Sequence, residues 1–381
     1  MNEHFPRKSR RAVVAHRRKF LVVLIAVLLL FLLLLAGALL TRGCEKKDPP
    51  GTEAGTVPAL SETAEEGTDA PGTASDTGTE SAPPGTAPPG TEPAETAPPV
   101  TEAITDAETK PPRAAFAFPE KMASRHALLI DLETGAVLAA KDPDAVVYPA
   151  SITKIMTVLL AAEKLPDPEI TTSISAETIL DLISRNAARA GFEAGERVTV
   201  FDLEAAALLP SGADAAVAIA ELVSGSEEAF ADLMNTRAAE IGMTSTHFVT
   251  CTGLHRDAHV SSCSDLALLV REALKNKVFR ELFELRTYRT SATPEHPWGI
   301  ACKSTMISGL ENLGLSTDRY VGGKTGYTPE AGLCLASVAS VGGKEYLLIT
   351  LTAGTGSNQP PLHVTDADLI WTAFENWLAE A

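Results

Sequence analysis

The sequence predicts an α+β fold for residues 114–381: an antiparallel sheet flanked by helices, with a mostly helical subdomain. Three observations carry this. An apolar segment of strand length stands near residue 127, others follow residue 320, and segments of helical period fill the stretch between them. Strands at both ends of a helical middle close most simply as one sheet with helices laid on it.

Each element has its own signal. Ala127-Leu128-Leu129-Ile130-Asp131-Leu132 is an apolar strand, Glu133-Thr134-Gly135 a turn, and Ala136 to Ala140 the returning strand of a hairpin. Ser151 to Lys164 reads as a helix, with Ile155, Val158, Leu159 and Ala162 at helical spacing. Asp202 to Leu209 and Asp214 to Val223 read as two helices broken at Pro210-Ser211-Gly212. Glu227 to Ile241 is a helix closed by Gly242, and Asp265 to Leu274 is another. Val321 to Tyr327, Gly332 to Val341 and, after the Gly342-Gly343 turn, Tyr346 to Thr352 are strands; Asp366 to Leu378 is the last helix.

Three segments precede this domain. Residues 1–19 form a basic tail with seven Lys or Arg against Glu3 alone. Residues 20–40 carry no charge, and a helix of that length spans about 30 Å, the thickness of a bilayer core. Basic residues before it keep the N-terminus cytoplasmic and put everything after Arg42 outside. A cleaved signal peptide at Ala36-Gly37-Ala38 is the first alternative, but the apolar run exceeds the usual ~7–15 residues and Leu39-Leu40 follow the cut. A lipoprotein signal ending at Cys44 is the second, and it meets Arg42 where a small or apolar residue belongs. The expectation is an uncleaved transmembrane signal-anchor.

Residues 41–113 read as a disordered linker of Pro, Gly, Thr, Ala and Glu, with loose repeats such as Pro83-Pro84-Gly85-Thr86 and Pro88-Pro89-Gly90-Thr91. Its few large apolar residues cannot offset the entropy of ordering. A flexible chain of this length averages roughly 45 Å end to end.

The net charge of −17 excludes a nucleic-acid partner, because phosphate contacts need a basic face. An anionic substrate then needs a lysine placed locally in the site. Cys44, Cys251, Cys263, Cys302 and Cys334 match no zinc spacing and read as buried thiols. His255, His259 and His296 show no metal spacing, and no nucleotide-binding glycine loop occurs, so neither metal nor cofactor is expected.

Three short segments carry chemistry. Ser151-Ile152-Thr153-Lys154 puts a hydroxyl and an amine three apart on one helical face, where an unprotonated lysine can take the serine proton. Free N–H groups at a helix N-terminus favour a developing oxyanion. Alone this motif is weak, and a capping serine beside a surface lysine explains it equally. Gly322-Gly323-Lys324-Thr325-Gly326-Tyr327 adds charge, a directional hydroxyl and a glycine that lets substrate approach a strand backbone. In Leu208 to Ala216, Ser211 lies between two helices and can point into a cleft; as a helix cap it would do nothing more.

Together, and in this order, these are the motifs of class A β-lactamases and penicillin-binding proteins. Over roughly residues 120–355 the chain resembles the low-molecular-weight, serine-type D-alanyl-D-alanine carboxypeptidases (peptidase S11 family). The likeness runs through Tyr148 to Thr157, Leu208 to Ala216, Gly242 to Phe248, Gly253-Leu254 and Gly323 to Thr328. The resemblance implies a β-lactamase/transpeptidase-like fold. It implies that Ser151 attacks the penultimate D-alanine of a peptidoglycan stem peptide, with Lys154 as base and Ser211 passing the proton to the leaving amine. It makes Lys324 the source of positive charge, puts the terminal carboxylate on Thr325 and Gly326, and forms the oxyanion hole from the backbone N–H groups of Ser151 and Tyr327. β-Lactam antibiotics would acylate Ser151 as substrate mimics.

One departure stands out. The family usually has asparagine two residues after the second serine, where this chain has Ala213. Losing that hydrogen bond to the substrate amide is worth ~1–3 kcal/mol. Ser184-Arg185-Asn186 repeats the missing pattern outside the helix-break-helix setting and reads as a decoy. Two alternatives stay open: a serine β-lactamase, which lacks here the Glu-x-x-Leu-Asn segment of class A, and a catalytically weak wall sensor that binds peptide or penicillin. The family's further C-terminal domain and amphipathic anchor are expected to be absent, with residues 20–40 holding the catalytic domain outside a bacterial cell membrane as a single-pass protein.

Overall fold

The structure, a computed structural model, describes residues 115–354 and 361–380. The basic tail, the expected anchor 20–40 and the linker 41–113 lie outside the described residues. Among the described residues, no helix is long and apolar enough to cross a membrane.

The chain opens with the expected hairpin, β1 (Ser124–Asp131) and β2 (Val137–Lys141). A 3-10 turn, Ala150–Thr153, leads into α1 (Lys154–Lys164). The middle is helical: α2 (Ala176–Ser184), α3 (Val200–Leu208), α4 (Ala213–Ser224), α5 (Glu227–Ile241), α6 (Cys263–Ala273), α7 (Lys277–Glu284) and α8 (Thr305–Asn312). Two short ribbons interrupt it, β3 (Thr171–Ser173) with β4 (Arg197–Thr199), and β5 (Thr287–Arg289) with β6 (Ala301–Lys303). Then come β7 (Tyr320–Thr328), β8 (Gly332–Val341), β9 (Lys344–Ala353) and α9 (Leu362–Ala379).

The main sheet has the order β2-β1-β9-β8-β7, with every neighbouring pair antiparallel. Period-two alternation sorts its side chains into two cores. Leu128 and Ile130 of β1, Ala336 and Val338 of β8, and Leu347, Ile349 and Leu351 of β9 join the helical middle. Leu129, Leu335, Ala339, Tyr346 and Leu348 point the other way, onto Ile370, Trp371 and Phe374 of α9 and Met306 and Leu310 of α8. Burial on both faces explains why these strands read as continuous apolar runs. Asp366, the expected start of the last helix, lies one turn inside it. Its carboxylate accepts from Ala123 N at 2.9 Å and from Ser124 N and Oγ, both at 2.6 Å, pinning β1 to α9.

The expected single helix from Ser151 to Lys164 is two pieces. Ala150 has φ +48°, a conformation that L residues rarely adopt, and the chain enters a 3-10 turn before the α-helix begins at Lys154. Helices α2, α7 and α8 escape a sequence reading because each is at most nine residues long and buries few side chains. Leu182 is the one buried residue of α2, and Phe279, Leu282 and Phe283 those of α7.

Candidate active site

The 3-10 turn is what brings serine and lysine together. At three residues per turn, positions i and i+3 eclipse. Lys154 Nζ lies 3.0 Å from Ser151 Oγ and donates to the Thr252 carbonyl at 2.6 Å. Lys154 is 2% exposed. Burial pulls its pKa from the ordinary lysine value to about 8, against the opposing charges of Cys251, Asp214 and Glu227. Among the described residues it has no ion-pair partner. A neutral amine there can donate one N–H to Thr252 and turn its lone pair to the Ser151 hydroxyl, the arrangement a general base needs.

β7 runs past this turn at van der Waals distance. A Cβ on Gly326 would sit 3.0 Å from Pro149 O and 3.1 Å from Ser151 N. The strand backbone therefore lies beside the nucleophile's own N–H, and a side chain at this position would press on the turn. Lys324 shares the side of β7 that bears Gly326 and is completely buried. Burial, then the charge of Lys154, holds its pKa well below the ordinary value. Its Nζ donates to Thr325 O at 2.8 Å. Thr325 Oγ1 lies 2.6 Å from Thr305 Oγ1 at the start of α8. Tyr327 is 41% exposed, its side chain turned away from the turn that Gly326 meets.

Ser211 sits in the break between α3 and α4 with φ +66° and is 6% exposed. Its hydroxyl has no hydrogen-bond partner among the described residues. A strained serine with an unused buried hydroxyl is costly to keep, which marks a position held for something other than stability. The break is fixed from outside: Ala213 N donates to Ala188 O at 2.8 Å, and the Asp214 carboxylate accepts from Ala190 N at 2.8 Å and Gly191 N at 2.9 Å. Ala213 presents only a buried methyl.

Several participants have roles that the sequence does not assign. Thr252 contributes its carbonyl, and Gly253, with φ +74°, backs onto the nucleophile's turn so closely that a Cβ would stand 2.0 Å from Ala150 O. His259 is buried against Thr153. The spacing Gly253-Leu254 to His259 hints at a shared loop, but nothing in the sequence says which element the loop touches. His255 packs edge-on to Tyr148, and His296 bonds to the buried Glu196 at 2.9 Å. No group of three metal-ligating side chains occurs among the described residues. Ser184 closes α2 at the surface, donating to Asp181 O at 2.7 Å. Cys251, Cys263, Cys302 and Cys334 are buried free thiols.

Known proteins share this arrangement. Residues 112–355 match the peptidase S11 family, described as D-alanyl-D-alanine carboxypeptidase. The chain is 34% identical over 252 residues to D-alanyl-D-alanine carboxypeptidase DacF of Bacillus subtilis, covering 66% of this chain and 63% of that one. It is 32% identical over 246 residues to a D-alanyl-D-alanine carboxypeptidase of a Streptomyces species, covering 62% and 82%. The crystal structure of a Streptomyces DD-transpeptidase superposes with a TM-score of 0.61 at 27% identity, covering 69% of this chain and 99% of that one. The match therefore spans somewhat less than two thirds of the Bacillus relative's length. With the family matched over more than half of its length, this chain belongs to the D-alanyl-D-alanine carboxypeptidases of the peptidase S11 family.

Proposed function

We propose that the protein removes the terminal D-alanine from peptidoglycan stem peptides through an acyl-enzyme on Ser151. The observation that carries this is a buried lysine amine, without an ion-pair partner among the described residues and with its pKa lowered to about 8, 3.0 Å from a serine hydroxyl.

Ser151 Oγ attacks the carbonyl carbon of the penultimate D-alanine as its proton passes to Lys154 Nζ. The oxyanion that forms is met by the N–H groups of Ser151 and Tyr327. The proton then travels by way of the Ser211 hydroxyl to the departing amine, the C–N bond breaks, and free D-alanine leaves. Water attacks the ester in the reverse sense and frees Ser151. The substrate's terminal carboxylate sits at Lys324, Thr325 and Gly326. There it supplies the negative charge that a buried lysine lacks in the free protein, so binding raises the Lys324 pKa and fixes its charge. That charge beside Lys154 favours the neutral amine. Ala213 leaves the substrate amide one hydrogen bond short, which lowers the rate without removing any group that makes or breaks a bond.

The uncharged segment 20–40, preceded by basic residues, supports a single-pass anchor with the catalytic domain outside the cell membrane. The linker 41–113 supports reach into the wall.

Incubating the purified protein with a pentapeptide ending in D-Ala-D-Ala tests the activity. Free D-alanine with transient covalent penicillin labelling is the expected result. Labelling without D-alanine release would instead make the protein a sensor, and rapid penicillin turnover a β-lactamase.

A further inference from the structure

His259 lies 106 residues from the nucleophile's motif and ends up beneath it. Its ring is 2% exposed. Nδ1 accepts from two backbone N–H groups, Val249 at 3.0 Å and Thr250 at 3.3 Å. An atom that accepts cannot carry the proton, so the neutral ring holds its hydrogen on Nε2. Burial, reinforced by His247, Lys154 and His255, keeps the ring neutral, with its pKa down at about 4. Nε2 is 2.7 Å from Thr153 Oγ1, and Thr153 Oγ1 is 2.7 Å from Ala150 O. The threonine hydroxyl has one hydrogen, and a carbonyl can only accept it. The chain of donors therefore has one direction: His259 to Thr153 to the Ala150 carbonyl.

That carbonyl belongs to the peptide joining Ala150 to Ser151. The other end of the same peptide is the Ser151 N–H, one of the two groups expected to meet the oxyanion. A hydrogen bond accepted at C=O draws electron density through the amide and makes its N–H a stronger donor. It also fixes the plane of a peptide that Ala150, at φ +48°, leaves strained. Gly253 closes the back of the same carbonyl, 2.9 Å from Thr153 Oγ1 by its missing Cβ.

We infer that His259 is a positioning residue for the oxyanion hole, acting through Thr153 on the Ala150–Ser151 peptide. The inference rests on the reading of Ser151 as nucleophile.

Two properties separate this role from simple packing. Loss of the relay weakens the transition state and leaves the bound substrate alone, so the limiting rate of acylation falls while the half-saturating concentration stays. The two residues also act as one unit, so their effects do not add. The experiment measures acylation by penicillin under saturating conditions in His259→Ala, His259→Gln, Thr153→Val, Thr153→Ser and the His259→Ala/Thr153→Val double variant, each checked for its unfolding temperature. Weakening one oxyanion donor without removing it costs about tenfold in rate. We expect about that loss in His259→Ala and Thr153→Val, recovery in His259→Gln and Thr153→Ser, and a double variant no slower than the slower single one.

Wild-type acylation in folded His259→Ala, or losses that multiply in the double variant, would overturn the inference. Should His259→Ala fail to fold, Thr153→Val against Thr153→Ser decides: equal rates would end it. A wild-type protein that penicillin never labels would instead remove the parent reading of Ser151.

Discussion

The two faces of the sheet solve different problems. Toward α9, the core is apolar and aromatic apart from the Asp366 carboxylate, which three donors satisfy. Phe374 lies between Phe116 at 5.2 Å and Trp377 at 5.7 Å, and Trp371 spends its single donor on Ser337 Oγ at 3.2 Å. On the side of the helical middle, Lys154, Lys324, Asp214, Glu204 and the Ser211 hydroxyl, which has no partner among the described residues, are all buried. Burying charge without a counter-charge works against folding. The α9 face therefore supplies stability, and the other face consumes part of it to hold a serine, two lysines and a strained turn in register.

Several variants sharpen or break that contrast. The largest effect belongs to Ser151→Ala, which abolishes covalent penicillin labelling and leaves the unfolding temperature unchanged; a labelled variant would remove the nucleophile's assignment. On the α9 face, Trp371→Ala costs about 3–5 kcal/mol of stability by opening a cavity, seen in a denaturant titration, while the folded fraction keeps its acylation rate. On the site face the signs reverse. Glu204 is buried with Oε1 unpartnered among the described residues, and desolvation raises its pKa to about 8. A carboxyl raised in this way binds its proton more tightly when folded, so it drains stability as pH climbs from about 4.5 in the unfolded chain to about 8 in the folded one. Glu204→Leu therefore gains about 2–4 kcal/mol at pH 8 and little at pH 4, and an equal gain at both would show the charge is not the cause. The smallest effect is Ala213→Asn, which supplies the missing amide partner. It raises the specificity constant for D-alanine release by about tenfold, and an unchanged constant would mean that another group already holds the substrate amide.

What the sequence showed follows the same division. The sheet was legible because β1, β8 and β9 pack densely on both sides and write that burial as apolar runs. Ser151, Lys154, Ser211 and Lys324 were legible as short motifs. The helices α2, α7 and α8 were not, since a helix of eight or nine residues with one to three buried side chains carries little periodicity. The 3-10 turn at Ala150 was hidden too, because its positive φ belongs to an alanine, where sequence reading looks for glycine. His259 was hidden for a different reason. Its role depends on meeting Thr153 across 106 residues, and no local pattern encodes that encounter.

Catalysis turns on Lys154 being able to lose its proton near neutral pH. The direct measurement is the rate of Ser151 acylation by penicillin from pH 6 to 11. With burial lowering the amine to about 8, the base form is scarce at low pH, half populated near that value and nearly complete a pH unit above it. The rate should therefore climb with an apparent pKa of about 8 and level off above pH 9. A rate that keeps rising until about pH 10.5, the ordinary range of an exposed lysine, would contradict the claim that burial makes this amine a base.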